Sequence, residues 1–448
     1  MIKIIVRSKK DADALKATLN VFYQRWNIEI ATLKGVRTLD KIKDALNEVY
    51  DEDKLNIVLL GKENEDVFKK IGRAPKDNIV VHLVPRKKVR NARIWMIHKE
   101  IEKALAYFRL SIVWNEEERS YILMNDNYTS LTNYDYNPAY DNFLAIGKVF
   151  RENLSRLIKT TLHGTPLLLR KMGGEHNLYV AERLVAKIIF KDYGIPVYEI
   201  LDKETSEGAS IDKTLKLNTK FIKKIEKISL SYMQRIEPDT VLVPWSGGKD
   251  STVALILAIK SYGKKKVKAV YVDTGIEFEQ TRDYVEIIAK KIGVSLFKVY
   301  AGLDEEIKRI GLLPKSNNRW CTEIKIKTLL MKLRELQEGK TVVVIGDRQA
   351  ESEARARRPL IRYEENRMIL TPIKLWSGVH VQLYHLYNGI PLNPLYEIGF
   401  YRIGCYICPS LRSWEIFVMQ NAKEIQKYLS CNKLYKKFLA EKLKEKAL

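Results

Sequence analysis

The feature that most constrains the fold of this chain is one glycine-rich turn near its middle. An apolar run at residues 241–243 leads into Ser246-Gly247-Gly248-Lys249-Asp250-Ser251, and an apolar, helix-forming stretch follows at residues 252–259. The order of strand, tight turn and helix predicts one unit of an α/β sheet. Paired glycines let the backbone turn sharply, so that successive amide groups point into one concavity at the start of the helix. The sequence therefore predicts a phosphate-binding nest built from main-chain amides.

Side chains within this turn complement the main chain. The hydroxyls of Ser246 and Ser251 can add hydrogen bonds to a phosphate, while Lys249 and Asp250 carry the charges that handle the phosphate or a Mg²⁺ ion. We therefore predict Asp250 and Lys249 as the catalytic residues. The spacing matches neither the Gly-x-x-x-x-Gly-Lys-Ser/Thr of P-loop NTPases nor the Gly-x-Gly-x-x-Gly of dinucleotide folds. The alternative is an ordinary turn with a chance pair of glycines.

Further motifs follow in order along the chain. Residues 267–275 form an apolar strand that ends in Asp273-Thr274-Gly275. Because parallel strands of an α/β sheet bind ligands at their carboxyl ends, Asp273 is placed to bond a ribose or an adenine edge. The later motifs are Arg319-Trp320-Cys321-Thr322 with Lys325, Gly346-Asp347-Arg348 after the strand TVVVIG, the arginines Arg355, Arg357 and Arg358, and the loop Cys405-Tyr406-Ile407-Cys408-Pro409.

This ordered set resembles the phosphoadenosine phosphosulfate (PAPS) reductase family of the PP-loop ATP pyrophosphatase superfamily, over residues 240 to about 410. The resemblance implies an α/β fold, namely an adenine nucleotide alpha hydrolase-like (PP-loop) domain with a parallel sheet and a C-terminal cysteine loop. It implies that this domain binds an adenine nucleotide, either ATP with Mg²⁺, or PAPS or adenylyl sulfate (APS). The nucleotide-binding residues that it implies are Ser246, Gly247, Gly248, Lys249, Asp250, Ser251, Asp273, Thr274, Gly275, Arg348 and Arg355, the two arginines as bidentate ligands of anionic oxygens.

The four cysteines, Cys321, Cys405, Cys408 and Cys431, all lie in the last third of the chain. A Cys-x-x-Cys loop followed by proline suits an iron–sulfur site, a zinc site or a redox dithiol. The resemblance implies a [4Fe–4S] cluster with Cys405, Cys408 and Cys321 as ligands, Zn²⁺ being the alternative. Cys431 either completes a four-thiolate site or packs as a small core residue, and we favour packing.

One departure from the family bears on the reaction. The reductases carry a C-terminal Glu-Cys-Gly-Leu-His motif whose cysteine attacks the sulfonyl sulfur, and this sequence contains no such motif. We therefore favour an enzyme that adenylates a carbonyl oxygen of a nucleic-acid base with ATP and replaces that oxygen with sulfur, as in tRNA thiolation. The alternatives are a PAPS or APS reductase of sulfate assimilation, which uses Cys431 or a partner thiol, and a non-catalytic nucleic-acid-binding protein regulated by nucleotide.

The charge balance bears on the partners. The chain has 78 Lys and Arg against 55 Asp and Glu, a formal net charge of +23. Such a field favours polyanions such as tRNA or DNA, although a Lys-rich thermophilic surface explains it equally well. A protein that donates sulfur or electrons is a further expected partner. No uncharged apolar run approaches the ~18 residues of a membrane span, and the N-terminus is not typical of a secretory signal, so we expect a soluble, cytoplasmic protein without a membrane partner.

The pattern of apolar runs divides the chain into three parts. Residues 1–90 alternate strand-sized and helix-period segments, which predicts a small α/β accessory domain. Residues 91–235 predict a mixed accessory region considered for nucleic-acid binding, with a helix, a hairpin, a loop rich in Tyr and Asn at 127–140, and basic helices around Gly173 and Gly174. Residues 236–448 hold the PAPS reductase-like domain, its Cys-x-x-Cys loop and a C-terminal helix. We predict Trp376 and Tyr396 as scaffold for that loop.

Overall fold

The first part of the chain is built on a parallel four-stranded sheet. The computed structural model describes residues 1–36, 38–66, 69, 77–123, 131, 136–203, 207–365 and 367–443. Its first strands are β1 (Ile2–Val6), β2 (Glu29–Thr32), β3 (Leu55–Gly61) and β4 (Ile79–Val84), with helices α1 (Lys9–Phe22) and α2 (Leu39–Val49). They pair in the order β2-β1-β3-β4. The α/β character predicted for this part is confirmed.

The middle part contains an antiparallel sheet where basic helices were predicted around Gly173 and Gly174, so that prediction is wrong. The apolar runs in this segment are short, and a short apolar run fits a buried strand and a buried helix equally well by periodicity alone. The strands pair in the order β11-β10-β9-β8-β7, and the two glycines form the turn between β8 and β9. The elements are α3 (Ile94–Leu110), the hairpin β5 (Ile112–Asn115) and β6 (Ser120–Leu123), β7 (Asp141–Leu144), α4 (Lys148–Ile158), β8 (Leu167–Arg170), β9 (Glu175–Val180), β10 (Arg183–Ile189), β11 (Val197–Ile200) and α5 (Ile211–Met233).

The Tyr- and Asn-rich segment at 127–140 lies mostly outside the described residues. Only Leu131 and residues 136–140 of it are described. The predicted helix after residue 91 and the predicted hairpin are confirmed by α3 and by the antiparallel pairing of β5 with β6.

The third part is a six-stranded sheet in the order β14-β13-β12-β15-β17-β16, parallel throughout except that β16 runs antiparallel to β17. The predicted α/β PP-loop class is confirmed. The strands are β12 (Thr240–Pro244), β13 (Val267–Asp273), β14 (Ser295–Tyr300), β15 (Thr341–Val344), β16 (Ile361–Glu364) and β17 (Arg367–Leu370). The helices are α6 (Lys249–Tyr262), α7 (Glu279–Ile292), α8 (Leu303–Ile310), α9 (Trp320–Glu335), α10 (Glu353–Arg357), α11 (Gly378–Tyr387), α12 (Pro394–Glu397), α13 (Ser413–Asn421), α14 (Lys423–Leu429) and α15 (Lys433–Leu443).

The strand order places a crevice beside β12. From β12 the chain builds outward to β13 and β14, and β15 then pairs on the opposite side of β12. This reversal is the topological switch point at which open α/β sheets bind their ligands, beyond the carboxyl ends of the strands. The glycine-rich turn follows β12, and residues 345–348 follow β15, so both lie at this crevice.

The three parts share hydrophobic cores. One cluster of buried side chains runs from Ile4 in the first sheet to Val243 and Leu383 in the third part. A second cluster joins Phe143 of the middle sheet to Trp414 near the C-terminal end. Burial of apolar surface is the main stabilising contribution to folding, so the parts stabilise one another. Among the described helices, none is both long enough and apolar enough to cross a membrane.

The edge of the middle sheet is fixed directly to the third part. The side-chain amide of Gln382 on α11 donates to the carbonyl of Leu144 at 2.8 Å and accepts from the amide of Leu144 at 2.8 Å. Next to this pair, a Cβ added to Gly378 would lie 2.5 Å from the carbonyl oxygen of Asn142. Only glycine allows this approach, which holds β7 close to the ligand-binding edge of the large sheet.

Candidate functional site

The turn after β12, residues 246–251, is called the phosphate loop below. Gly247 has φ of +72°, a conformation that favours glycine. Gly248 is the N-cap residue of α6. The amides of the first turn of a helix have no intrahelical partner and can bind an anion. In α6 the amide of Lys249 already donates to the Tyr396 hydroxyl, so the other amides of this turn are the candidates for anion binding. The Ser251 hydroxyl donates to the carbonyl of Gly248 at 3.1 Å and lies 3.1 Å from the Ser246 hydroxyl, which closes the loop on itself.

Tyr396 supports the phosphate loop, and its hydroxyl accepts a hydrogen bond from the amide of Lys249 at 3.0 Å. The prediction that Tyr396 acts as scaffold for the cysteine loop is therefore corrected. His385 on α11 lies behind the same turn, with its Nε2 2.8 Å from the carbonyl of Lys249. Both side chains are buried, and both come from the segment that leads toward the cysteine loop.

A buried ion-pair network fixes Asp250. The Arg348 guanidinium contacts Asp250 Oδ1 through Nε at 2.6 Å and Asp141 Oδ2 through Nη1 at 2.6 Å. The ammonium of Lys249 lies 2.8 Å from Asp250 Oδ2. Burial alone would raise the pKa of Asp250, but the charges of Arg348 and Lys249 outweigh it and hold the pKa well below its usual range. Asp250 is therefore ionised at neutral pH.

The network joins two parts of the chain that are distant in sequence. Asp141 begins β7, and its Oδ1 also accepts from the amide of Gly378 at 2.9 Å. Burial raises the pKa of Asp141, whereas Arg348 and Arg170 lower it, and the net direction is downward. Two ionised carboxylates therefore share one guanidinium inside the protein, at the contact between the middle sheet and the phosphate loop.

Gly346 lets the strand β15 approach the phosphate loop. A Cβ at this position would lie 2.6 Å from the carbonyl carbon and oxygen of Asp250 and 2.8 Å from the amide nitrogen of Ser251. Such distances are shorter than any side chain tolerates, so Gly346 permits the two backbones to meet at the crevice. Glycine at such close approaches is a common feature of ligand-binding turns.

A cavity of about 1030 Å³ opens over the phosphate loop. One wall is the PP-loop domain, including the phosphate loop and residues 345–356. The opposite wall comes from the middle part, with residues 137–141 and the Gly173–Gly174 turn. The site is therefore composite, and its volume lies at the upper end of the range for small-molecule pockets. Charged residues on its lining include Asp141, Arg170, Lys171, Lys249, Asp250, Arg319, Asp347, Arg348, Glu351, Arg355, Arg402 and Arg412.

Cys321, Cys405 and Cys408 lie in one neighbourhood, called the cysteine corner below. Burial raises the pKa of the Cys321 and Cys405 thiols, and Cys408 is among the charges that raise each of them further. The Cys405 sulfur lies 3.3 Å from the Thr274 hydroxyl and 3.7 Å from Glu277 Oε1. Cys431 is exposed and lies next to the hydroxyl of Ser430. We favoured packing for Cys431, and this exposure shows that it is not a core residue.

The donor chemistry of the corner suits a soft metal, because thiolates bind iron–sulfur clusters and zinc. The arrangement of the side chains does not fit one as it stands. Within the described residues, no group of three or more His, Cys, Asp or Glu side chains is placed to hold a metal ion. Instead Glu277 contacts Cys405 and pairs with Lys325 at 3.2 Å. A resident metal would therefore require the thiols to leave these contacts.

Most of the residues predicted to bind nucleotide come together in the structure. Those that line the cavity are Ser246, Gly248, Lys249, Asp250, Ser251, Arg348 and Arg355. The Asp273-Thr274-Gly275 motif is not part of that lining. Asp273 faces Arg282 at 3.3 Å, and Thr274 contacts Cys405, so the motif lies at the cysteine corner. The nucleotide-binding role of these three residues stays a prediction.

Several cavity residues were not identified from the sequence as parts of a site. Asp141, Arg170, Lys171 and Arg412 belong to no motif, and 207 positions separate Asp141 from its partner Arg348. Arg319 could have been identified from the sequence, because it stands in the Arg319-Trp320-Cys321-Thr322 motif, two residues before Cys321.

Three comparisons relate this chain to known proteins. Residues 240–411 match the family model described as the phosphoadenosine phosphosulfate reductase domain. The uncharacterized protein MJ0066 of Methanocaldococcus jannaschii is 38% identical over 181 residues, which cover 39% of this chain and 37% of that protein. The adenosine 5'-phosphosulfate reductase of Rhodococcus erythropolis is 31% identical over 150 residues, 32% of this chain and 59% of that enzyme. This chain therefore spans less than two thirds of the length of these relatives.

Among solved structures, the phosphoadenylyl-sulfate reductase of Candida auris in its phosphate complex is similar, with 22% sequence identity and a TM-score of 0.34. The similarity covers 45% of this chain and 98% of that chain.

Proposed function

Because residues 240–411 belong to the phosphoadenosine phosphosulfate reductase domain family, we propose that the chain is a PP-loop enzyme that binds ATP with Mg²⁺ and uses it to transfer sulfur to a nucleic acid such as a tRNA. The observation that supports this most is the continuity of the cavity. Its lining runs from the phosphate loop to Arg319 and Arg402, which stand two and three residues before Cys321 and Cys405. Nucleotide activation and sulfur chemistry would thus share one space.

The first step of the proposed reaction is adenylation. A carbonyl oxygen of the acceptor base attacks the α-phosphorus of ATP, an O–P bond forms, and the P–O bond to pyrophosphate breaks. The amides of the phosphate loop bind the departing phosphates, since these amides lie at the N-terminus of α6. Asp250 is ionised, so its carboxylate is the group that would hold Mg²⁺, and the ion would supply positive charge beside the phosphates. Lys249 stays paired with Asp250 and holds it in place.

The second step replaces the activated oxygen. A hydrosulfide ion supplied by a donor protein attacks the base carbon, a C–S bond forms, the C–O bond breaks with release of AMP, and the sulfur proton passes to the ring nitrogen. Arg355 lines the cavity, pairs with Asp347 at 3.4 Å and with Glu351, and has an exposed fraction of 38%, so we assign to it the contact with AMP. Arg348 is saturated by Asp141 and Asp250, and we therefore assign it a positioning role in place of direct phosphate binding.

A reductase that acts on PAPS or APS is the second candidate, and the named reductase activity of the Rhodococcus erythropolis relative favours it. The two candidates release different products. With ATP, Mg²⁺ and bulk tRNA, we expect pyrophosphate release that RNA stimulates. With PAPS or APS and a dithiol, the reductase would release sulfite. Sulfite release without RNA-stimulated pyrophosphate release would contradict the first candidate, and nucleotide binding without any turnover would favour a regulated nucleic-acid-binding protein.

Replacing Asp250 with asparagine is expected to lower the rate of pyrophosphate release at least about 100-fold. The amide keeps the shape of the side chain but removes the negative charge on which Mg²⁺ and Lys249 depend. The exposed carboxylate Asp283 on α7 offers a control, and Asp283→Asn is expected to retain the wild-type rate. An Asp250→Asn enzyme with an unchanged rate would show that this carboxylate has no part in the chemistry.

The cofactor has its own test. We propose that Cys321, Cys405 and Cys408 are the residues that would hold a [4Fe–4S] cluster or zinc, and such a group would supply a soft Lewis acid beside the cavity. After purification without oxygen, we expect iron and labile sulfide in roughly a 1:1 ratio, with loss of both in Cys405→Ser. Cys431→Ser serves as the control and is expected to keep the wild-type content, because the Cys431 side chain is exposed and lies against the hydroxyl of Ser430. Zinc without sulfide would favour the alternative metal, and absence of both would contradict the prediction.

A further inference from the structure

The cavity carries a basic wall outside the set of residues predicted to bind nucleotide. The wall consists of Arg170, Lys171, Arg319, Arg402 and Arg412, all of which line the cavity. Arg170 and Lys171 end β8 in the middle part, whereas the others flank the cysteine loop or precede α9. The guanidinium of Arg170 donates to the carbonyl oxygen of Ala350 and so connects the wall to the PP-loop side.

Two members of the wall have no acidic partner. Arg319 and Arg402 are exposed, and among the described residues no carboxylate lies within the 4 Å of an ion pair from either. By contrast, two other arginines of the cavity are neutralised, Arg348 by Asp141 and Asp250, and Arg355 by Asp347 and Glu351. An arginine without a carboxylate beside a cavity offers its five donors to an external anion.

Of the remaining members, Lys171 and Arg412 each have one acidic partner, and Arg170 donates to the carbonyl oxygens of Ala139 and Ala350. Lys171 pairs with Glu175 at 3.2 Å, and Arg412 lies 3.6 Å from Asp192, a side chain that is itself mostly exposed. Glu415 is the buried carboxyl nearest Arg402 and Arg412. Burial raises the pKa of Glu415 to about 7, although the charges of Arg402 and Arg412 act to lower it. A fraction of Glu415 is therefore protonated and uncharged at neutral pH. The wall therefore keeps a positive potential toward the cavity.

The shape of the wall suits a strand of phosphates. The Gly173–Gly174 turn beside Lys171 leaves open space, because a Cβ at Gly173 would meet no atom within 4 Å. Arg412 closes the other side of that turn, where its Nη1 would lie 3.1 Å from a Cβ at Gly174. A single nest of main-chain amides is enough to hold one compact anion. Several cations around an open edge are better suited to the successive phosphates of a phosphodiester chain.

We propose that the basic wall binds the phosphodiester backbone of the acceptor nucleic acid, across the cavity from the phosphate loop. This inference rests on the proposed function and names the surface by which the acceptor is held. The base to be modified would then point into the cavity, between the wall and the phosphate loop. The middle part of the chain thus contributes to substrate binding as well as to the fold.

The test measures binding of bulk tRNA, and in parallel a single-stranded DNA oligonucleotide, as a function of salt concentration. Each phosphate contact contributes about 0.7–0.9 to the slope of log affinity against log salt. We expect the double variant Arg319→Gln/Arg402→Gln to lower the slope by about 1.5 and the tRNA affinity at 0.1 M salt about tenfold or more. Arg334→Gln is the matched control, an exposed arginine in the last turn of α9, the helix that Arg319 precedes.

The outcomes separate the inference from the proposed function. A double variant that binds tRNA and DNA with the wild-type affinity and slope would overturn the inference, as would a wild-type protein that binds neither. An effect on both nucleic acids supports the wall as a backbone site, and the tighter ligand identifies the source of the backbone. ATP binding by the wild-type protein is measured separately by calorimetry, and its absence would overturn the proposed function.

Discussion

Replacing Arg348 with methionine is expected to lower the free energy of unfolding at pH 7 by about 3–5 kcal/mol. Arg348 is 3% exposed and is shared by two buried carboxylates, Asp141 and Asp250. Methionine fills much of the volume but leaves two negative charges in the interior with one fewer partner. Breaking a buried pair in this way costs more than the pair itself contributes, because the remaining charge is not solvated. Urea unfolding followed by circular dichroism measures the difference.

The same variant should change the dependence of stability on pH. Asp141 and Asp250 have lowered pKa values in the folded protein, so their contribution is present above the unfolded pKa near 4 and is lost as pH falls through the folded values. Without Arg348, burial raises the pKa values of Asp141 and Asp250. Protonation at lower pH then removes the buried negative charges and so stabilises the variant. The stability difference between wild type and variant should therefore shrink as pH falls from 7 toward 4.

The control for this prediction is Arg357→Met. Arg357 is exposed, and its ion-pair partner among the described residues is the exposed Glu353, so its loss is expected to change the free energy of unfolding by under about 1 kcal/mol. If Arg348→Met unfolded at the same urea concentration as Arg357→Met, the buried network would not hold the middle sheet to the phosphate loop as described.

Replacing Gly346 with alanine is expected to weaken ATP binding at least about 100-fold. The added Cβ would lie 2.6 Å from the carbonyl of Asp250 and 2.8 Å from the amide of Ser251, and both contacts are backbone. Backbone cannot rotate away, so the phosphate loop must shift by a distance comparable to the overlap. Misplacement of a binding group by about 1 Å costs about 10²-fold. Isothermal titration of ATP·Mg²⁺ measures the loss.

Gly389→Ala is the matched control for Gly346→Ala. Gly389 has φ of +63°, and a Cβ there meets no atom within 4 Å, so alanine adds backbone strain of about 1–2 kcal/mol without a clash. We expect this variant to bind ATP with the wild-type affinity. Unchanged ATP affinity in Gly346→Ala would mean that the phosphate loop does not form the nucleotide site.

The sequence was most informative where the determinants are local. The phosphate loop, β12 and α6 are contiguous, so the α/β class could be predicted. The nest could be predicted because paired glycines indicate a sharp backbone turn. The link between Arg348 and Asp141 could not, because 207 residues separate them and Asp141 stands in no motif. Pairings of this kind depend on tertiary packing, to which periodicity is blind.

Two predictions differ from the structure because each depends on tertiary packing, which the sequence pattern does not show. The run around Gly173 and Gly174 was assigned to helices, yet β9 is buried along nearly all its length and so lacks the alternation that identifies a strand. The family resemblance predicts Tyr396 as scaffold for the cysteine loop. In the structure, the short helix α12 instead directs its hydroxyl to the amide of Lys249.

The measurement that tests the central claim most directly is a crystal structure of the full chain with ATP and Mg²⁺. We predict that the triphosphate lies on the main-chain amides that follow Ser246, with Mg²⁺ beside Asp250 and the adenosine inside the cavity that the middle part and the PP-loop domain enclose. A nucleotide bound elsewhere on the protein, with the phosphate loop free of ligand, would contradict the claim.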